Sequence, residues 1–384
     1  MNLVHPRFTE PSQGDTSDRQ RADLQACVTL MRGGSKTFFA ASRLLPLRIR
    51  AASIALYAFC RVADDVVDEG DSPQAGLARL KDRLDAIYSG APQAFVEDRA
   101  LCAVVQQHHL PRLLLDALLE GFSWDSSARR YETLADVHDY AARVAGSVGA
   151  MMCWLMGVRE PQALARACEL GLAMQLTNIA RDVGTDARNG RLYLPRQWLR
   201  ESGIDPDAWL MAPTASPEIL ELIERLLQEA DRLYGKASQG IAALPKECRA
   251  AILAARLIYA EIGQQLRRDG LDSVARRAVV PLTRKLGLLA TAWWTASDAG
   301  IPGAAHVSAA ETAIVYLVAH CTQAAESLAL ARRDDFKDRP TAPGSRPLGE
   351  RAAWMIELFE RQEAQRRAGR SPSTAPARGG LSLG

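Results

Sequence analysis

Two short acidic clusters each carry aspartates four positions apart: Asp64 and Asp68 in Asp64-Asp65-Val66-Val67-Asp68, and Asp182 and Asp186 in Asp182-Val183-Gly184-Thr185-Asp186. Residues at i and i+4 share a helical face, so each cluster sets two carboxylates side by side. Two such faces brought together offer four hard oxygen ligands, the donor type with which hydrated Mg²⁺ bridges a protein and a diphosphate. The chemistry to expect is the binding and ionisation of diphosphate esters.

At about 100° per residue, the neighbours complete two polar stripes. Tyr57, Arg61, Asp64 and Asp68 form one, and Gln175, Asn178, Asp182 and Asp186 the other. Their flanks are apolar: Ile54, Ala55, Leu56, Ala58 and Phe59 in the first helix, Leu170, Leu172, Ala173, Met174 and Leu176 in the second. Helices with such flanks bury most of their surface, the edges of the polar stripe included. Buried carboxylates must meet cations, here Arg61, Arg181 or metal ions. Two core salt-bridge networks would give similar stripes. The duplication of the cluster and the neutral oxygens of Gln175 and Asn178 favour a site.

The stretches Tyr57-Ala-Phe-Cys-Arg-Val-Ala-Asp-Asp-Val-Val-Asp-Glu69 and Gln175-Leu-Thr-Asn-Ile-Ala-Arg-Asp-Val-Gly-Thr-Asp186, the latter followed by Gly190-Arg-Leu-Tyr-Leu-Pro195, resemble the two signatures of the squalene/phytoene synthase family. Gly34-Ser-Lys-Thr-Phe-Phe-Ala-Ala-Ser-Arg-Leu-Leu-Pro46 and Tyr140-Ala-Ala-Arg-Val-Ala-Gly-Ser-Val-Gly149 match two further family stretches. An aspartate pair alone is shared with head-to-tail prenyltransferases and terpene cyclases; four motifs in family order are specific.

The resemblance implies an all-α, single-domain isoprenoid synthase bundle around a central cavity. It also implies head-to-head condensation of two allylic diphosphates through a cyclopropylcarbinyl diphosphate. Asp64, Asp68, Asn178, Asp182 and Asp186 are then the expected ligands of Mg²⁺, or of Mn²⁺ in its place, with Arg61 and Tyr140 beside them as catalytic groups. Ser35, Lys36, Thr37, Phe38, Tyr57, Gln175, Arg181, Arg191, Tyr193, Tyr259 and Arg277 are the expected substrate-binding residues. Tyr140 would orient a diphosphate or relay a proton. Ala141 and Ala142 depart from the family pattern, which often has cysteine and tyrosine there. The opening and closing motifs favour two geranylgeranyl (C20) diphosphates over farnesyl (C15), and no NADPH is expected. A C15-using squalene-type enzyme and a non-catalytic assembly protein are the alternatives; the second predicts eroded aspartates, and all four are present.

The elements that must position these residues read as helices. Ala-rich segments of 3.6-residue period run over 49–69, 74–89, 98–108, 112–123, 134–156, 161–183, 216–243, 246–270, 283–296 and 308–332, separated by prolines. The small residues from Ala141 to Ala150 permit close helix packing and leave room for a prenyl chain. Residues 1–24 read as flexible, 25–335 as the catalytic domain, and 336–384 as a loop, a short amphipathic helix (351–367) and a disordered tail. Gly34-Ser-Lys-Thr lacks the glycine spacing of a nucleotide loop.

With 384 residues, 48% hydrophobic and 24% charged, the composition is that of a globular chain with a large core. A net charge of +2 argues against nucleic acid as the partner. Seven cysteines without a C-x-x-C pair read as reduced thiols. The expected setting is cytoplasmic and peripheral on the inner membrane face, with channelling of the product to other carotenoid enzymes.

Overall fold

The computed structural model describes residues 13–34, 36–68, 72–297 and 309–334. Ser35, the side chains of Lys36, Thr37 and Asp68, and everything expected after residue 335 lie outside the described residues. Among those described, every regular element is helical: α1 (Gln13–Gly34), α2 (Lys36–Ser42), α3 (Leu47–Asp68), α4 (Pro73–Tyr88), α5 (Val96–His108), α6 (Arg112–Ser126), α7 (Leu134–Ala141), α8 (Ser147–Leu155), α9 (Pro161–Arg188), α10 (Arg196–Glu201), α11 (Pro206–Met211), α12 (Pro217–Ser238), α13 (Lys246–Arg268), α14 (Leu282–Ser297) and α15 (Val315–Asp334).

Local sequence sets many of the boundaries. Ser72 and Ser216 accept hydrogen bonds from the backbone N–H groups of Ala75 and Ile219, and prolines fill the first turns of α4, α9 and α12. Thr133 and Asp136 cap each other reciprocally at the start of α7.

Two helices organise the rest. The helix α3 packs against α1, α4, α5 and α6, while α9 packs against α8, α12, α13 and α15. These are the two helices that carry the aspartate clusters. Each buries an apolar surface that includes Leu56 and Phe59 on α3 and Leu172 and Leu176 on α9, all 1% exposed or less. Burial on that scale is worth about 1.5–3 kcal/mol per large side chain, before the cost of ordering the chain.

The helices differ from the sequence expectation at several places, among them α9, which runs on to Arg188 rather than ending at residue 183. The first, α1, begins at Gln13, inside the segment expected to be flexible through residue 24. It is tied down because Asp23, 7% exposed, accepts two hydrogen bonds from Arg99 on α5, while Cys27 and Met31 enter the core. The expected helix 134–156 is interrupted by a π-helical turn over Ala142–Gly146.

The expected helix 216–243 stops at Ser238, and a 3₁₀ turn over Ile241–Ala243 leads to α13. Finally, Thr312–Ala331 has the length and apolar composition of a membrane-crossing helix, whereas the sequence, with no uncharged apolar stretch of about eighteen residues, is expected to hold none. Only 17% of that apolar window is buried: Ile314, Leu317 and Cys321 are fully covered and α15 packs against α8 and α9, while Val315 and Leu330 are exposed.

Candidate active site

Residues from the polar stripes of α3 and α9 line one cavity of about 660 Å³, although Asp182 and Asp186 are not part of its wall. Its wall includes Tyr57, Cys60, Arg61 and Asp64 from α3, and Gln175, Asn178 and Arg181 from α9. Phe38, Asp125, Tyr140, Tyr259, Arg277 and Lys285 complete the polar and aromatic lining. A second cavity of about 350 Å³ adjoins it, walled by apolar groups such as Leu56, Met152, Leu170 and Met174. The two share Phe38, Tyr57, Cys60, Val144, Val148, Gln175, Asn178 and Tyr259, so a charged chamber opens into an apolar tunnel.

The tunnel exists because small residues let α8 and α9 approach backbone to backbone. A Cβ on Gly149 would stand 2.1 Å from the carbonyl oxygen of Ala167, and one on Gly171 2.2 Å from that of Ala145. Close packing and room for an apolar ligand, both expected of this stretch, therefore have one cause. Phe38 stacks on Tyr259 with ring centroids 5.5 Å apart and tilts against Tyr57 at 6.2 Å, making an aromatic collar at the junction. Gly34 admits the Tyr57 hydroxyl, which would lie 2.5 Å from a Cβ there.

On the first face, Arg61 spans two carboxylates, Asp64 at 3.3 Å and Asp65 at 2.5 Å. Asp65 was not among the expected site residues; an arginine at i−4 is the sequence signal that could have found it. On the second face, Asp182 receives two guanidinium groups. Arg181 donates from Nε and Nη2 at 3.0 and 2.6 Å, and Arg277 approaches from Nε at 2.7 Å and Nη2 at 3.1 Å. Arg277 reaches Asp182 because Gly184 lets the following loop cross α9: a Cβ there would sit 2.0 Å from the carbonyl oxygen of Val274. The Gly184 N–H donates to the carbonyl of Ser273 at 3.1 Å.

Burial, then Asp182 and, more weakly, Asp125, push the Asp186 carboxyl up to about 7, with the positive charge of Arg191 opposing the rise. Arg191 also donates its backbone N–H to the Asp186 carbonyl at 2.9 Å.

Asp125, at the end of α6, is, like Lys285, another residue that sequence reasoning missed. Both of its oxygens are occupied: Tyr193 donates to Oδ1 at 2.6 Å and Tyr140 to Oδ2 at 2.9 Å. The two phenol rings stack with centroids 5.0 Å apart, and Tyr131 packs against both. Burial and the Asp125 charge hold both hydroxyls well above the ordinary phenol range, so they remain protonated donors. Tyr140 is thus a donor to the Asp125 carboxylate. Asp125 has no i+4 acidic partner, and no spacing in the sequence marks it.

Among the described residues, no three His, Cys, Asp or Glu side chains gather closely enough to hold a metal ion by themselves. The five expected ligands are divided between α3 and α9, and Asp182 is engaged by Arg181 and Arg277. The donor set nevertheless fits a hard divalent cation. It consists of carboxylate and amide oxygens and contains no thiolate or imidazole.

The model of squalene/phytoene synthases matches residues 31–284. The chain belongs to the squalene/phytoene synthase family. It is 53% identical to the phytoene synthase of Rhodobacter capsulatus over 279 residues, covering 72% of this chain and 82% of that one. With the 15-cis-phytoene synthase of a Paracoccus species it shares 43% identity over 281 residues, 71% of this chain and 91% of the relative. Among solved structures, it is similar to a dehydrosqualene synthase in complex with ligand at 30% identity and a TM-score of 0.66, covering 74% of this chain and 99% of that one. A squalene synthase from Alicyclobacillus acidocaldarius follows at 25% identity and a TM-score of 0.61, with 66% and 96% covered.

Proposed function

We propose that this family member condenses two molecules of geranylgeranyl diphosphate head to head, through a cyclopropylcarbinyl diphosphate, to 15-cis-phytoene, the entry to carotenoid biosynthesis. The observation that carries the reading is the junction of the charged chamber with the apolar tunnel, in a chain 53% identical to a phytoene synthase. One end suits diphosphates and the other suits prenyl chains.

Asp64, Asp68, Asn178, Asp182 and Asp186 would hold Mg²⁺, with Mn²⁺ able to replace it, and the ion would supply Lewis-acid neutralisation of charge on a departing diphosphate. Arg61, Arg181, Arg277 and Lys285 line the chamber and add fixed positive charge at that end. Loss of diphosphate leaves an allylic cation on one substrate. The double bond of the other attacks it, and loss of a proton closes the cyclopropane. A second ionisation, rearrangement and proton loss yield the central double bond, and no reductant is consumed. The collar of Phe38, Tyr57 and Tyr259 offers ring faces to the cation as it passes from chamber to tunnel. Tyr140 and Tyr193 keep Asp125 in place as a further negative group on the chamber wall.

Likeness to a dehydrosqualene synthase favours a second reading, in which the substrates are C15 and the product C30. Incubation of the protein with Mg²⁺ and either diphosphate, with and without NADPH, followed by chromatography of the organic extract, separates the two. A C40 hydrocarbon without reductant supports the first reading, a C30 product supports the second, and no product from either rejects both.

We also read the enzyme as cytoplasmic and peripheral on the inner membrane face, passing its product to the enzymes that follow. A hydrocarbon product and the exposure of Val279 at the chamber wall, at 65%, support this. Failure to float with liposomes would reject it.

A further inference from the structure

The tunnel runs in one direction along four elements. On α9 its lining passes from Asn178 through Met174 and Leu170 to Ala163, and on α8 from Val148 through Met152 to the adjoining Met156. On α3 it runs from Tyr57 to Ser53, and on α13 from Tyr259 to Ala251. From Asn178 to Ala163 the helix advances by about 22 Å at 1.5 Å per residue.

Where these tracks end, the connection between α12 and α13 crosses them. Gly240, Ile241 and Leu244 from that connection join Ala163 and Arg166 in the wall. Arg166 is the one charged residue among the described residues of the tunnel lining. It fits there because position 240 has no side chain: a Cβ on Gly240 would meet the Arg166 Cβ at 2.4 Å and its Cγ at 2.8 Å.

The side chain is tethered. Its Nη1 stands 3.1 Å from Oε2 of Glu169, an ion contact without hydrogen-bond geometry, and Glu169 is fully buried. Lys236 lies 3.2 Å from Oε1 of Glu169 and donates to Glu311 at 2.6 Å. Moving Arg166 aside to admit a longer chain would leave the Glu169 carboxylate short of one of its cations in the core, which is costly. Pressing an apolar chain onto the guanidinium would strip it of polar neighbours, which is also costly.

We propose that Arg166, seated against Gly240, forms with Leu244 the floor of the prenyl tunnel and sets the longest chain the enzyme accepts. The proposal rests on the reading of the tunnel as the prenyl site and adds which residues determine specificity there. Arg166 acts as a stop because the ion contacts behind it hold it still, whereas an apolar floor could repack around one more isoprene unit.

The test compares C15, C20 and C25 prenyl diphosphates as single substrates for the wild type and three variants. Arg166→Met keeps the stem and removes the charge; Leu244→Ala opens the floor without touching the ion contacts; Ala163→Leu raises it. The ratio of kcat/KM for C25 to that for C20 is expected to rise about tenfold in Arg166→Met and Leu244→Ala, and the C20 to C15 ratio to fall by a similar factor in Ala163→Leu. A purely structural role lowers all three substrates together and leaves the ratios unchanged.

If Arg166→Met does not fold, the other two variants decide. Ratios within twofold of wild type in folded Leu244→Ala and Ala163→Leu overturn the proposal. The same ratios are read as binding, through the thermal shift given by the unreactive thiolo-diphosphate analogues of each length. Wild-type protein inactive on all three substrates rejects the proposed function, while the analogue ratios still judge the floor.

Discussion

The two ends of the ligand cavity are built by the same helix, α9, and use charge in opposite ways. In the chamber, Arg61 and Asp64 are each 42% exposed and Arg277 is 58% exposed. At the tunnel floor, Glu169 is fully buried, Arg166 is 8% exposed, and Lys236 and Glu311 are 15% and 17% exposed. The buried charges continue outward through Arg232 and Glu229 to His138, with each acid meeting at least one base. Charges at the chamber pair with one another and also line a space that a charged ligand can enter. Behind the floor, Glu169, Lys236 and Glu311 meet one another, Arg232 and the Arg166 that they hold, with none of the three in the tunnel wall. The difference teaches that acidic residues of similar appearance in the sequence can border a ligand cavity at one end and serve the fold at the other.

Substitutions can break or sharpen this contrast. The largest effect belongs to the chamber: Asp64→Ala and Asp182→Ala are each expected to lower turnover by about 10³-fold or more, since the lost interaction stabilises charge in the transition state. Their melting temperatures should stay within a few degrees of wild type. Substantial residual activity in both would contradict the assignment of the aspartates.

The floor should answer in the other measurement. Glu169→Ala is expected to cost about 3–5 kcal/mol in urea unfolding, because it breaks a buried ionic cluster and leaves cations behind. Turnover per folded molecule with C20 substrate should fall far less than in Asp64→Ala.

Acid should expose the same asymmetry. Burial alone would raise the Glu229 carboxyl, but hydrogen bonds from Arg232 and the nearby His138 imidazole outweigh it and hold the group down to about 2. In the unfolded chain it binds its proton at about 4.3. Between these values the unfolded state carries more protons than the folded one, so the stabilisation is present above that window and is lost as pH falls through it. The stability gap between wild type and Glu229→Gln should therefore shrink from pH 5 to pH 2, by on the order of 3 kcal/mol at most. A gap independent of pH would show that Glu229 contributes through packing alone.

Next in size is Asp125→Asn, expected to lower kcat by about 10²-fold with little change in stability, as it removes the anion that Tyr140 and Tyr193 hold. The smallest effect is at an exposed pair away from both ends. Arg48 and Glu247 stand 3.2 Å apart at 60% and 44% exposure, and Glu247→Ala should change stability by about 0.5 kcal/mol or less.

Much of the chamber was legible along the chain, because helical spacing is a local property. Tyr57, Arg61, Asp64, Gln175 and Asn178 were placed on common stripes by residue spacing, and the structure carries all five to one wall. The starts of α9 and α12 were marked by Pro161 and Pro217. What escaped was whatever depends on a distant partner. The helix α1 extends to Gln13 through a part of the chain whose Asp23 is held by Arg99, seventy-six positions away. Asp125 has no local companion, and it becomes part of the site because α7 and the strand-free stretch after α9 deliver two phenols to it.

The sequence by itself determined that the chain is helical, that two faces carry paired aspartates, and that small residues line one stretch between them, since these follow from composition and a period of 3.6. Tertiary structure alone decided that Gly184 would let Arg277 cross to Asp182, and that Gly240 would seat Arg166 at the end of the tunnel. Both rest on close approaches between segments far apart in the chain, Gly184 to backbone and Gly240 to a side chain. Excluded volume acts across space, and no local spacing rule encodes which distant atom a missing Cβ makes room for.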